Sequence, residues 1–114
     1  MNVPGLDCSH WDRGTKTPLI DWTQTSQVFK FAFMKSTESD YIRDKLFKMQ
    51  WAAARGHILR APYHFFRNAT NAIKQAQLMI SVVDGDWGEL PPVCDFEEDY
   101  AELKNLGSFL YEIE

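Results

Sequence analysis

Apolar and polar residues change their spacing repeatedly along this chain, and the changes mark out alternating strands and helices. Val3 to Cys8 reads as a short strand. Asp12-Arg13-Gly14 then turns the chain, and Asp21 in Ile20-Asp21-Trp22 is placed to cap a short helix, its carboxylate accepting from first-turn amides. Val28 to Met34 is apolar, aromatic-rich and of strand length, with Lys35-Ser36-Thr37-Glu38-Ser39 as its polar exit loop. From Tyr41 to Arg55, the residues Ile42, Leu46, Met49 and Ala53 recur at helical spacing, and Gly56 supplies the stop. Ile58 to Phe66 returns to strand character, and Asn68-Ala69-Thr70-Asn71 makes a turn. Ala72 to Val83 reads as a helix with Ile73, Ala76, Gln77 and Ile80 on one side. Asp84-Gly85-Asp86-Trp87-Gly88 leads into a strand ending at Asp95 and Glu97. Tyr100 to Ile113 completes the pattern as a helix built on Leu103, Leu106, Leu110 and Ile113.

Strand and helix thus alternate four times, the pattern of an α/β fold with parallel strands and right-handed crossovers. Four strands cannot close an eight-stranded ring, so the expectation is a partial (β/α) barrel. Asp7, Lys35 to Glu38, Tyr63 to Phe65, and Asp95 to Glu97 all fall at strand carboxyl ends, the rim where such folds place their active sites.

A length of 114 residues allows one core, so residues 1–114 are read as a single domain. The net charge is −4 and the bases Lys45, Lys48, Arg55 and Arg60 are dispersed, which argues against nucleic acid as a partner. Cys8 and Cys94 each adjoin a candidate acid and should point to the opposite face, as reduced core residues. No apolar run reaches the length of a membrane span, and Met1 leads into a strand without a basic, apolar leader, so any export is expected to use another route.

The candidate chemistry centres on Asp95 and Glu97. On an extended strand, residues two apart share a face, which would crowd two carboxyls into one small site. Crowding and partial burial drive such pKa values apart, leaving one group as a general acid and its neighbour as an anion. A solvated acidic strand end is the plainer alternative, and Glu98 and Asp99 extend the acidic run in its favour. His10, His57 and His64 lack metal-ligand spacing and read as structural, so no metal is expected. Lys35-Ser36-Thr37 lacks the upstream glycines of a phosphate loop, so no nucleotide cofactor is expected either.

Taken in order, Gly5-Leu6-Asp7-Cys8-Ser9-His10-Trp11, Ile20-Asp21-Trp22, Phe31-Ala32-Phe33-Met34-Lys35-Ser36-Thr37-Glu38, Trp51-Ala52-Ala53-Ala54-Arg55-Gly56, Tyr63-His64-Phe65-Phe66, Gln75-Ala76 and Leu90-Pro91-Pro92-Val93-Cys94-Asp95-Phe96-Glu97 resemble the glycoside hydrolase family 25 lysozymes. The resemblance runs along nearly the whole chain but covers only the first half of the family's domain. It implies a modified β/α barrel that hydrolyses the β-1,4 bond between N-acetylmuramic acid and N-acetylglucosamine in peptidoglycan. It also implies Glu97 as general acid, Asp95 and Asp7 as acidic partners, and Tyr63 in the sugar groove. Phe65 and Trp11 are added as further candidate substrate contacts from their places beside Tyr63 and Asp7, against the plainer reading of core aromatics. A substrate-assisted route is the one the resemblance favours. Ser39 stands where the family usually has glycine, and Ala61-Pro62 replaces a small, glycine-containing pair. The implied setting is a bacterial cell wall, reached as a phage-type endolysin or a secreted protein. The competing expectation is a truncated, inactive half-barrel that binds glycan strands and forms a homodimer through its open edges. A third is an unrelated hydrolase that uses the same acids with a metal.

Overall fold

The computed structural model describes residues 3–9, 20–98 and 103–114. Strands β1 (Gly5–Cys8), β2 (Phe31–Glu38), β4 (Leu59–Phe65) and β5 (Val93–Asp95) lie side by side in that order, all parallel. A two-residue strand, β3 (Ile42–Arg43), pairs antiparallel with the end of β2. Helices α1 (Trp22–Val28), α2 (Phe47–Ala54), α3 (Ala72–Val83) and α4 (Leu103–Ile113) occupy the connections and the carboxyl end. The sheet is open, and the four parallel strands match the expected half-barrel layout.

Local chemistry sets several boundaries where the sequence places them. Asp21 caps α1 by accepting from the Gln24 amide at 3.1 Å, and Asn71 caps α3 by accepting from Lys74 at 3.0 Å. Gly56 follows α2 with φ +81°, a conformation that costs other residues dearly.

Three expectations are corrected. The strand expected over Val28 to Met34 begins at Phe31 and runs through the supposed exit loop to Glu38. Its polar residues are tolerated because each finds a partner. Ser36 Oγ donates to the Tyr63 carbonyl at 2.9 Å, and Thr37 Oγ1 lies 2.7 Å from His64 Nδ1. The helix expected from Tyr41 to Arg55 is split. The chain reverses at Ser39, which adopts φ +56°, forms β3, and enters α2 only at Phe47. The buried face of α2 is Phe47, Gln50, Trp51 and Ala54, while Met49 is exposed. Ser39 holds its left-handed backbone while its hydroxyl donates to Thr70 Oγ1 at 3.1 Å, which explains how a serine occupies a place that suits glycine. The face of α3 is also rotated from expectation. Ile73 and Ile80 lie outside, and Gln75, Ala76, Met79, Val82 and Val83 are buried.

The core lies between the sheet and its helices. Ala32 and Met34 of β2 meet Trp51, Ala54, Ala76 and Met79, and Phe109 anchors α4 against Phe66 and the His64 ring. Phe109 was absent from the expected apolar set of α4, whereas Leu110, which belonged to it, is largely exposed. Leu6 and Cys8 of the four-residue β1 face this layer, Cys8 buried in it and Leu6 packed against it.

Candidate active site

Parallel pairing brings residues far apart in sequence into rows on the concave face. Asp7 aligns with Phe33, Lys35 with Tyr63 and Val93, and Glu38 with Phe65 and Asp95. An irregularity in β2 makes the last row possible. Pairing passes from Lys35↔Tyr63 to Thr37↔His64, so Ser36 is an inserted residue that shifts all later side chains by one. Thr37 therefore faces the helices with His64, and Glu38 returns to the concave side.

Asp7, Phe33, Tyr63, Val93, Cys94, Asp95, Phe96 and Glu97 line a cleft of about 410 Å³ on this face. Four of the six expected site residues thus converge: Asp7, Tyr63, Asp95 and Glu97. Glu97 lies two residues beyond the end of β5, so its position comes from the segment after the strand, not from strand alternation as expected. Phe65 shares the concave face but serves another purpose, with Lys35 Nζ 5.4 Å and the Arg67 guanidinium 4.7 Å from its ring centroid. Trp11 falls outside the described residues.

The acidic run after β5 divides. Glu98 turns away to accept from the Asn68 amide at 2.7 Å and faces Arg67 at 3.9 Å. Asp95 and Glu97 remain in the cleft and share a hydrogen bond. Burial pushes the Asp95 carboxyl up to about 6; the Glu97 hydrogen bond and charge and the Asp7 charge add to this, and Lys35 opposes it. The pair therefore retains a proton at a pH where an ordinary aspartate has lost it. A merely solvated acidic strand end would not.

Lys35 and Glu38 were not candidates from sequence. Lys35 is only 8% exposed, and its ammonium sits 2.5 Å from Glu38. Arg67 holds the other Glu38 oxygen at 2.9 Å, and these cations keep the Glu38 carboxyl below its usual range despite burial. The polar stretch Lys35 to Glu38 was the available signal; a helical or loop reading hides it, because only the inserted Ser36 puts both charges on one face.

Cys94 packs toward the core, where burial pushes its thiol up to about 12, so it is no nucleophile. His64 is fully buried. Gln75 Oε1 already accepts from the Arg67 amide at 3.0 Å, so His64 Nε2–H donates to it at 2.8 Å and Nδ1 accepts from Thr37. Desolvation lowers its pKa to about 4, and the ring is a neutral structural group, as expected. Among the described residues no three His, Cys, Asp or Glu side chains are arranged to hold a metal ion. Nor is any described helix long and apolar enough to cross a membrane. A larger hollow of about 510 Å³ at the other end of the strands has Glu89 as its one acid, and that group is committed to Arg60.

Comparison with known proteins places this geometry. The model of the glycosyl hydrolases family 25 matches residues 6–113. The uncharacterized protein YegX of Escherichia coli K12 is 33% identical over 103 residues, a match spanning 84% of this chain and 36% of that protein. A family 25 glycosyl hydrolase from Bacillus anthracis superposes with a TM-score of 0.78 at 28% identity, over 98% of this chain and 53% of that one. A muramidase from Acremonium alcalophilum superposes with a TM-score of 0.75 at 20% identity, over 98% and 60% respectively, a likeness of fold. The chain thus spans little more than a third of YegX and about half of the solved structures it resembles.

Proposed function

This chain belongs to the glycosyl hydrolases family 25, and from that membership we propose that it acts as a lysozyme-like N-acetylmuramidase on the β-1,4 bond between N-acetylmuramic acid and N-acetylglucosamine of peptidoglycan. The observation that carries the reading is the cleft in which Asp7, Asp95 and Glu97 meet beside Tyr63. Glycoside hydrolysis needs a proton delivered to the leaving oxygen and negative charge facing an oxocarbenium-like centre. A carboxyl pair that shares one proton supplies both. By the family resemblance Glu97, the more exposed partner, gives the proton to the glycosidic oxygen, and Asp95 and Asp7 face the anomeric carbon. In the substrate-assisted form of the reaction, Asp95 orients the acetamido group of the substrate, whose oxygen attacks. Tyr63 offers a ring and a hydroxyl to the sugar. The site of action is the bacterial cell wall, reached as an endolysin or a secreted enzyme, with residues 1–114 as one domain.

Reducing-end release from purified peptidoglycan, measured beside the Glu97→Gln variant, tests this reading. The variant should lose about 10²–10⁴-fold in turnover with its unfolding transition unchanged, since the side chain is exposed and isosteric. Turnover near that of the parent would remove Glu97 from the role.

A second reading is favoured by the sheet order. β1 and β5 stand at its two ends, with no outer partner strand among the described residues. In that reading the chain binds glycan strands without cleaving them and pairs with a second copy. Peptidoglycan binding with no reducing ends released, together with a concentration-dependent dimer in sedimentation, would select it.

A further inference from the structure

The bases of this acidic chain look dispersed in sequence, but the fold gathers three of them. Arg43 on β3, Lys45 in the turn after it and Lys48 in the first turn of α2 line a groove of about 410 Å³ together with Ser81 and Val82 of α3. All three side chains are exposed, and none forms an ion pair with an acid among the described residues, whereas Lys35, Arg60 and Arg67 all do. The one acid in the lining is Asp44, which is buried and turned to the backbone. Its carboxylate accepts from the Leu46 amide at 3.0 Å, its own amide donates to the Ser36 carbonyl at 2.9 Å, and its carbonyl accepts from Phe47 at 3.1 Å. Those bonds hold the cation-bearing segment against the end of β2. The last turn of α3 has no basic residue of its own, and one neighbouring cation would complement the partial charge of its carbonyl end. Three leave a surplus.

We propose that this groove binds a phosphodiester-linked polyol polymer, the anionic kind that accompanies peptidoglycan in bacterial walls, with Arg43, Lys45 and Lys48 each meeting a phosphate. Its volume lies within the roughly 300–1,000 Å³ of pockets that take ligands much larger than one anion. The cations stand on three successive pieces of backbone, an arrangement that suits a repeated charge. No aromatic side chain lines the groove, so the bases of a single-stranded nucleic acid would have nothing to stack on. No large exposed apolar residue enters the lining either, and a surface that lies on a membrane needs one to bury. Arg43 pairs with Thr37 and Ile42 with Glu38, so the groove borders the same carboxyl-end rim as the acid cleft. A polymer held there keeps the cleft close to the glycan it accompanies. That the polymer belongs to the cell wall rests on the muramidase reading above; the phosphate chemistry of the groove does not.

The test is a calorimetric titration of the full chain with poly(glycerol phosphate) at low and at high salt. The parent should bind, and more weakly as salt rises. The double variant Lys45→Gln/Lys48→Gln should lose about tenfold in affinity, as removal of two phosphate contacts implies, and Arg43→Gln alone a smaller amount. Arg55→Gln/Lys74→Gln removes the same charge from exposed positions outside the groove and should leave the affinity unchanged. No binding by the parent, or equal losses in the two double variants, would overturn the proposal. Tighter binding to vesicles of anionic phospholipid, or to a single-stranded oligonucleotide with the same number of phosphates, would overturn the choice of polymer. These titrations need no turnover, so absence of hydrolysis would count against the muramidase reading alone. If the chain does release reducing ends, Lys45→Gln/Lys48→Gln should cut polymer-free peptidoglycan like the parent and polymer-bearing walls more slowly. Parent rates on both would overturn the role of the groove at the wall.

Discussion

Two pairs of acids stand at opposite ends of β4, and they differ in what lies between them. Asp86 and Glu89, three residues apart, close around Arg60 at the start of the strand. The buried guanidinium donates to Asp86 at 3.2 Å, to Glu89 at 2.7 Å and to the Trp51 carbonyl at 2.9 Å, and it stacks on the Trp51 ring at 4.3 Å. Both carboxyls are lowered, Glu89 chiefly by its hydrogen bond to Arg60, and Asp86 because desolvation, its largest single influence, is outweighed by the hydrogen bonds and charge of Arg60 together with the Gly88 amide. At the other end Asp95 and Glu97, two residues apart, face each other and Asp7, and Lys35, the cation among the described residues that acts on Asp95, is already committed to Glu38. Asp95 is raised. Similar spacings of acidic residues thus give a structural clasp in one place and a proton-holding site in the other, and the position of the counter-charge decides which.

The largest expected effect comes from emptying the clasp. Arg60→Ala removes a buried cation, its stacking on Trp51 and its ion pairs with Asp86 and Glu89. Urea unfolding should show a loss of about 3 kcal/mol. Arg60→Lys should recover less than half, since one ammonium cannot reproduce the fork. A loss within the error of the measurement would mean the two ends of β4 are alike in being surface charge.

Between the two ends lies His64, and its linkage has a fixed sign. Its folded pKa, about 4, is below the unfolded value of 6.5, so its stabilising contribution is complete above pH 6.5 and is lost as pH falls toward 4. The loss should be about 2–3 kcal/mol, given how deeply the ring is buried. Asp95 works in the opposite sense. Its folded pKa, about 6, is above 3.8, so its ionisation weakens the fold above pH 6 and costs nothing below pH 4. Asp95→Asn should therefore stabilise the protein at neutral pH by about 1 kcal/mol, the full linkage value being reduced by solvent screening. The same variant should show a steeper fall in stability between pH 6 and 4, because the His64 contribution then acts unopposed. Unfolding curves of parent and variant across that range check both statements; parallel curves would show that Asp95 is not raised.

The sharpest version of the comparison concerns activity. Removing Glu97 should abolish turnover and leave the fold intact, whereas removing Arg60 should weaken the fold first and turnover only as a consequence. An Arg60 variant with normal stability and no turnover would break the distinction between the two acid pairs.

By itself the sequence determined the order of the four parallel strands and four helices, the cap at Asp21, the stop at Gly56, and the grouping of Asp7, Tyr63, Asp95 and Glu97 at strand carboxyl ends. These depend on spacing and on side chains that reach their own backbone within one turn, so neighbours in the chain suffice to fix them. Tertiary structure alone decided which faces of α2, α3 and α4 are buried, because short helices rich in apolar residues on several sides offer more than one packing face. It also decided that Lys35 to Glu38 is strand, that Ser36 is inserted, that Glu98 leaves the acidic run for Asn68, and that Arg60 claims Asp86 and Glu89. Those choices rest on partners 26 to 30 positions away in the chain. A carboxylate has no preference of its own between clasp and proton donor; the charge brought to it by another strand supplies one.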